Sequence, residues 1–241
     1  MTLFVGALFA GPVSSGALLL LLPAGASPVD HDLPPDYKAL HKGAAYLSTG
    51  VYSRENEDVI VRGTPALILK RTYLSGYHQA LPFGIGTTHS GDLWLRGDGE
   101  RFQWAELILD SGARVKFERT SSGTSFANAM YQHRDGIPGW QDARLGWTGV
   151  HWALRRTDGA LFVFLPCSGR GQFCSLVRAR DEDGHSTYYR RDRHRRLIAI
   201  ESGDRWIKLE YDGRDRITHA RGSNGVEVRY EYEKAGRLAG C

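Results

Sequence analysis

The feature that most constrains this chain is a short unit that recurs through its last sixty or so residues. Asp192, Asp212 and Glu233 fall 20 and 21 residues apart. Each is followed five residues later by an aliphatic side chain (Leu197, Ile217, Leu238), and each aliphatic residue is preceded by an arginine (Arg196, Arg216, Arg237). Arg191, Tyr211 and Tyr232 stand immediately before the acids, and Tyr189, Leu209 and Tyr230 stand two positions further back. A glycine lies eight or nine residues ahead of each acid: Gly184, Gly203, Gly225. Self-similarity at a fixed short period is the mark of a stacked architecture. Tyr230 and Tyr232 are two apart, so in a strand they share a face. The acid starts a turn, because a short carboxylate accepts turn N–H groups. The third residue after the acid must then take a left-handed conformation. Gly236 does so freely, Asp215 tolerates it, and Arg195 meets it at a cost of about 1–2 kcal/mol. A single hairpin cannot bury its apolar face alone, whereas stacked neighbours can.

Upstream, the texture is that of strands and tight turns. Val59-Ile60-Val61, the run from Ala66 through Tyr73, Leu93-Trp94-Leu95, Phe102-Gln103-Trp104 and Leu107-Ile108-Leu109 read as strands. Arg114-Val115-Lys116-Phe117 alternates polar and apolar, as a half-buried strand does. Trp152-Ala153-Leu154, residues 161–165 and Ser175-Leu176-Val177 continue the pattern. Gly97-Asp98-Gly99, Asp110-Ser111-Gly112 and Asp158-Gly159 supply the turns. Residues 120–149 read as a long loop or irregular hairpin, and nothing from residue 51 onward keeps a helical period. With 29 glycines and 11% aromatic residues in 241, the expected class is all-β, built of antiparallel β-hairpin repeats.

The first 29 residues carry no charged side chain. An apolar run at residues 17–22 is followed by Ala24-Gly25-Ala26, the arrangement of a secretory signal peptide, although no Lys or Arg precedes it. Pro12, Ser14, Ser15 and Pro23 interrupt the wider apolar stretch, which argues against a stable membrane span. Residues 1–26 are therefore expected to be a signal peptide and 27–50 a linker, with a short helix at residues 37–46. Export would place the chain in the cell envelope or outside the cell, in an oxidising compartment. Cys167 and Cys174, with six residues between them, are then candidates for a disulfide. Cys241 is left over, to pair with another chain or to precede further sequence. A net charge of +4 does not argue for nucleic acid.

Tyr230-Glu231-Tyr232-Glu233-Lys234-Ala235-Gly236-Arg237-Leu238 resembles the unit of the YD-repeat, or RHS-repeat, family, with Glu233 in place of the usual Asp; Tyr211-Asp212 with Arg216-Ile217 is similar in part. A second region, Leu69-Lys70-Arg71-Thr72-Tyr73-Leu74-Ser75, then Pro82-Phe83-Gly84-Ile85-Gly86 and His89, looks like the domain that commonly precedes those repeats. That domain usually has Trp soon after the second glycine, where Thr87 and Thr88 stand here. The order of the two regions is the family order. The resemblance implies a preceding β-domain over 51–150, a hairpin region over 151–241 and a partial β-shell. In many family members the shell encloses a C-terminal toxin released by self-cleavage, after a longer array and a processing motif. Neither occurs in this sequence, which reads as a truncated or orphan copy whose partner would be the remainder of such a protein.

Sharper chemical readings are weaker. The run Arg190, Arg191, Arg193, His194, Arg195, Arg196 reads as a solvated turn and strand face rather than a nucleic-acid or acidic-glycan contact. Asp181-Glu182-Asp183-Gly184 is a turn, since its glycine comes too early for a calcium loop. His89 is expected to bond backbone at a strand corner, and no nucleophile stands in a recognisable elbow. The six tryptophans are expected in the core. The resulting expectation is a non-catalytic scaffold without cofactor or metal, bacterial and secreted or envelope-bound, serving contact-dependent competition or toxin carriage. A surface-glycan module is the alternative, and a hydrolase a distant second one.

Overall fold

A computed structural model describes residues 52–98, 103–137, 139–167 and 173–241. The expected signal peptide (1–26), the linker (27–50) with its short helix, Phe102, the last glycine of Gly97-Asp98-Gly99 and the loop Ser168-Gly169-Arg170-Gly171 lie outside the described residues. The chain is all-β and its sheets are antiparallel. The single helical element described is a 3-10 turn at Phe126–Asn128.

Two units emerge: one is contiguous in sequence and carries its own core, the other shares its core with a distant segment of the chain. The first is a barrel-like closed sheet of eight strands: β6 (Trp94–Gly97), β7 (Trp104–Ile108), β8 (Arg114–Arg119), β9 (Met130–Gln132), β10 (Arg144–Trp147), β11 (Trp152–Arg155), β12 (Leu161–Phe164) and β13 (Cys174–Arg180). Closure falls to β13. Cys174 and Ser175 pair with β6, and Leu176 through Arg180 pair with β12. Strand alternation sends Val115 and Phe117 inward and Lys116 and Glu118 outward, as a period of two requires. Leu107, Val115, Phe117, Leu145, Leu154 and Phe164 fill the interior, so the barrel is packed, as barrels of this strand number are. Residues 120–149, expected to be a long loop or an irregular hairpin, form the hairpin: β9 and β10 pair antiparallel. Those strands are three and four residues long, too short to show a period in sequence. The β10–β11 ladder also bridges residues 150 and 151, where the sequence suggested a boundary.

The second unit is the repeat region with a cover. From β13 the sheet continues through β14 (Ser186–Arg191), β15 (Leu197–Ser202), β16 (Arg205–Tyr211), β17 (Ile217–Gly222) and β18 (Glu227–Arg229). The hairpin of β19 (Glu231–Tyr232) and β20 (Leu238–Gly240) follows. The cover comes from the start of the described chain: β1 (Ser53–Val61), β2 (Leu67–Leu74) and β5 (Thr87–His89) form a three-stranded sheet. A two-strand ribbon, β3 (Ala80–Leu81) with β4 (Gly84–Ile85), lies between β2 and β5 in sequence. Val59, Val61, Leu67, Leu69 and Phe83 from the cover share one core with Leu197, Ile207, Leu209, Ile217 and Tyr230 from the repeats. Each such side chain, fully buried, stabilises by about 1.5–3 kcal/mol.

Candidate functional site

The repeat turns are superimposable in their bonding. In each, the acid's N–H donates to the carbonyl four residues on: Asp192 to Arg196 (3.0 Å), Asp212 to Arg216 (2.9 Å), Glu233 to Arg237 (2.9 Å). The N–H of the third residue after the acid donates back to the acid's carbonyl. That third residue has positive φ in every copy: Arg195 65°, Asp215 61°, Gly236 88°. A β-bulge accompanies each turn, the hairpin form with one left-handed residue. The Asp212 carboxylate accepts from the backbone N–H groups of Arg214 (2.8 Å) and Arg216 (3.0 Å) and from the Arg216 side chain (2.8 Å). Burial alone would raise this carboxyl, but those bonds outweigh it and hold it below the usual carboxylate range. Asp192 does the same with His194 and Arg196. Glu233 keeps the backbone pair only.

Consecutive copies interlock. The Arg196 guanidinium lies 4.8 Å from the Tyr211 ring centroid, and Arg216 lies 4.2 Å from that of Tyr232. The Tyr211 hydroxyl donates to the Leu197 carbonyl (2.7 Å) and the Tyr232 hydroxyl to the Ile217 carbonyl (2.5 Å). The arginine of one unit is therefore held by its own acid and covered by the tyrosine of the next, which also ties to the residue after that arginine. This explains why Tyr, Asp, Arg and the aliphatic residue recur together. Gly184, Gly203 and Gly225 mark the turns at the other ends of these strands, all with positive φ. Asp181 makes a further copy of the acid turn, its Oδ1 accepting the His185 N–H (2.8 Å). Sequence comparison missed it because histidine fills the arginine slot, although the Asp-x-x-Gly spacing was visible.

The two motif regions meet each other. Arg71, Thr72 and Tyr73 pair across β2–β5 with His89, Thr88 and Thr87. Residues 82–91 then run along the turn ends of the repeats. The Ile217 N–H donates to the Pro82 carbonyl (2.7 Å), and the Ile85 N–H donates to the Gly236 carbonyl (3.0 Å). Arg191 donates to the Gly91 carbonyl (2.6 Å). One segment thus touches all three copies. Phe83 is fully buried, edge-on to Tyr230 at 4.8 Å. Gly84 has φ 87°, and a Cβ there would stand 2.5 Å from the Gly236 carbonyl, so only glycine fits. Gly86, φ 73°, is similarly confined by the Tyr77 and Leu74 carbonyls. Arg71 forms a buried ion pair with Asp58 (2.7 Å), which also accepts from the Tyr230 hydroxyl (2.9 Å). Burial and the Asp58 charge push that phenol well above its ordinary range.

His89 is buried, its Nδ1 accepting the Gly91 N–H (3.2 Å). Burial pushes its pKa down to about 4; Asp92 opposes the shift and Arg191 adds to it. Asp92 is itself satisfied, accepting from Thr88 Oγ1 (2.5 Å) and Trp94 Nε1 (2.6 Å). Arg191 also donates to the carbonyls of Leu176 (3.1 Å) and Arg195 (3.1 Å), joining barrel, cover and repeats at one point. The basic run is thereby mostly engaged: Arg190 with Glu201, Arg195 with the Phe173 and Pro166 carbonyls, Arg196 with Asp192 and Asp215. Trp94, Trp140 and Trp152 are buried, whereas Trp104 is exposed. Cys167 and Cys174 are disulfide-bonded, and the exposed Cys241 thiol sits 3.2 Å from Arg71. Arg237 is exposed and Leu238 half-buried at the last turn. Among the described residues no cluster of three or more His, Cys, Asp or Glu is placed to hold a metal, and no helix is long and apolar enough to cross a membrane.

The site is therefore a docking seam in an all-β protein: a cover sheet clipped onto successive hairpin turns. The chain carries a domain described as a domain of unknown function (DUF6531), matched over residues 46–117. That span takes in the cover and strands β6–β8. No curated protein matches the chain.

Proposed function

We propose that this chain is a non-catalytic β-scaffold of the RHS/YD-repeat kind, in which the cover sheet caps the first hairpin units of a shell. What supports the reading above all is the segment 82–91, which bonds to all three repeat turns at once. A capping role follows from the physics of repeat arrays, whose end units need a distinct surface to bury their open face. The chain is exported, and it serves contact-dependent competition or the carriage of a toxic cargo at or beyond the cell envelope. Fractionation of producing cells, with sequencing of the mature N-terminus, tests the export step. The expected result is protein in the envelope or medium beginning near Ser27. Cytoplasmic protein beginning at Met1 would overturn it. Co-culture of producing and non-producing cells tests the second step, and equal survival of the non-producers with and without the chain would count against it.

A further inference from the structure

The outer wall of the barrel carries a field of arginines with no carboxylate partner. Arg144 on β10 and Arg155 on β11 are directly opposite each other, and both are exposed. Directly opposed residues share a face with Cβ atoms about 5 Å apart, where like charges destabilise a sheet. The register continues the row. Arg155 faces Leu161 on β12, and Leu161 faces Arg180 on β13; one step along, Val163 faces Arg178. Alternation puts Leu145, Leu154 and Phe164 inside the barrel, so these four arginines stand on the outside. Among the described residues none of the four has an ion pair or side-chain hydrogen bond, and the Nε atoms of Arg178 and Arg180 are buried without a partner. Other arginines are paired, as with Arg71–Asp58, Arg114–Glu106, Arg190–Glu201 and Arg216–Asp212. Among the described residues Arg54, Arg62 and Arg229 also stand without a side-chain partner, and the field is set apart by the direct opposition of two of its members.

The acids bordering the field do not neutralise it. Glu118 shares the row but lies beyond Gln132. Beside Arg180, Asp181 is engaged by His185 and Asp158 by Arg156, while Glu182 and Asp183 stand in the turn that follows and make no ion pair with it. Between the arginines lie the aliphatic side chains of Ala153, Val163 and the buried Leu161, with the exposed Met130 side chain over Gly146. We propose that this face of β10–β13 binds an acidic polysaccharide, a linear glycan bearing carboxylate groups. This goes beyond the scaffold reading and does not depend on it.

Three observations select that partner. All four cations are arginine, whose planar fork grips carboxylates in bidentate fashion. The β10–β13 stretch is interior to a closed sheet with no free edge, so a peptide cannot add a strand there and recognition must run through side chains. Between the arginines there is no aromatic platform of the kind single-stranded nucleic-acid sites use for base stacking; the exposed Tyr188, opposite Arg178 at the border, is covered by Arg190. Aliphatic side chains there suit the face of a sugar ring, with its acid groups turned to the guanidinium forks.

The test is calorimetric titration of the full chain with polygalacturonate oligomers, beside single-stranded DNA and poly-glutamate of equal charge. Saturable binding to polygalacturonate that weakens steeply between about 50 and 500 mM NaCl is expected. Arg144→Ala/Arg155→Ala should weaken it at least tenfold, Arg144→Lys/Arg155→Lys by less, and Arg229→Ala, outside the field, not at all. Unchanged thermal melting of the variants separates lost contact from lost fold; any variant that melts early is replaced by Arg178→Gln/Arg180→Gln, with the same expectation. Absence of saturable binding, indifference to the arginine pair, or tighter binding to DNA or poly-glutamate would each overturn the assignment.

Discussion

The barrel β6–β13 closes on itself. Its last strand bonds to its first, its core lies within its own wall, and its segments are contiguous from residue 94 to 180. The repeat sheet β14–β18 does neither. One face would lie open were it not for the cover β1, β2 and β5, recruited from about a hundred residues earlier in the chain. Both are antiparallel sheets made of short hairpins. The difference is where the closing contacts come from, and it means that the barrel's stability is local while the repeat sheet's is borrowed. Substitutions of the cover residues that share the repeat core should therefore loosen the repeats and leave the barrel nearly untouched.

The largest expected effect is at Phe83, fully buried where cover meets repeats. Phe83→Ala should destabilise the repeat unit by about 3–5 kcal/mol, from lost burial and the cavity left behind. Denaturant unfolding followed at separate probes should then split into two transitions, with the barrel unfolding last.

Next is the response to acid. His89 in the folded chain sits at about 4 against an unfolded value of 6.5. Between those values the unfolded chain binds the extra proton, so stability falls as pH drops through that window and levels off below it. The loss is about 3 kcal/mol over the window, superimposed on the carboxylates held low by the repeat turns. His89→Gln should flatten the slope of stability against pH between about 6.5 and 4, measured by urea midpoints.

A smaller effect probes the interlock between repeats. Tyr232→Phe removes the hydroxyl bond to the Ile217 carbonyl and keeps the ring under Arg216, so about 1 kcal/mol is expected. The smallest is Arg195→Gly. Relief of the left-handed backbone is worth about 1–2 kcal/mol. It is offset by loss of the bonds to Phe173 and Pro166, each about 0.5–1.5 kcal/mol. Thermal melting should move within a degree or two of the parent.

Much of this comparison was legible in the sequence on one side and invisible on the other. The repeat spacing located the acid turns, and the slot three residues after the acid was read as left-handed in all three copies, as found. These are local features, set by residues within one hairpin. What the motif around Pro82, Phe83 and Gly84 does was not legible. Its contacts to Ile217 and Gly236 run through backbone N–H and carbonyl groups, which leave no side-chain signature. Barrel closure was hidden for a related reason: β9 and β10 are too short to show alternation, and the β6–β13 pairing joins residues about eighty positions apart. The opposition of Arg144 and Arg155 depends on register alone, so no inspection of the sequence reveals it.

The central claim is that residues 52–92 stabilise the repeat hairpins, whose core they share, far more than the barrel, which they reach at Asp110 and Trp94. Hydrogen–deuterium exchange on the full chain with Gly84→Val tests it most directly, because that side chain would collide with the Gly236 carbonyl in the seam. Faster exchange across β15–β20 and β1–β2, with β7, β8 and β11 as protected as in the parent, is the predicted result. Equal loss of protection in barrel and repeats, or no change in either, would contradict the account.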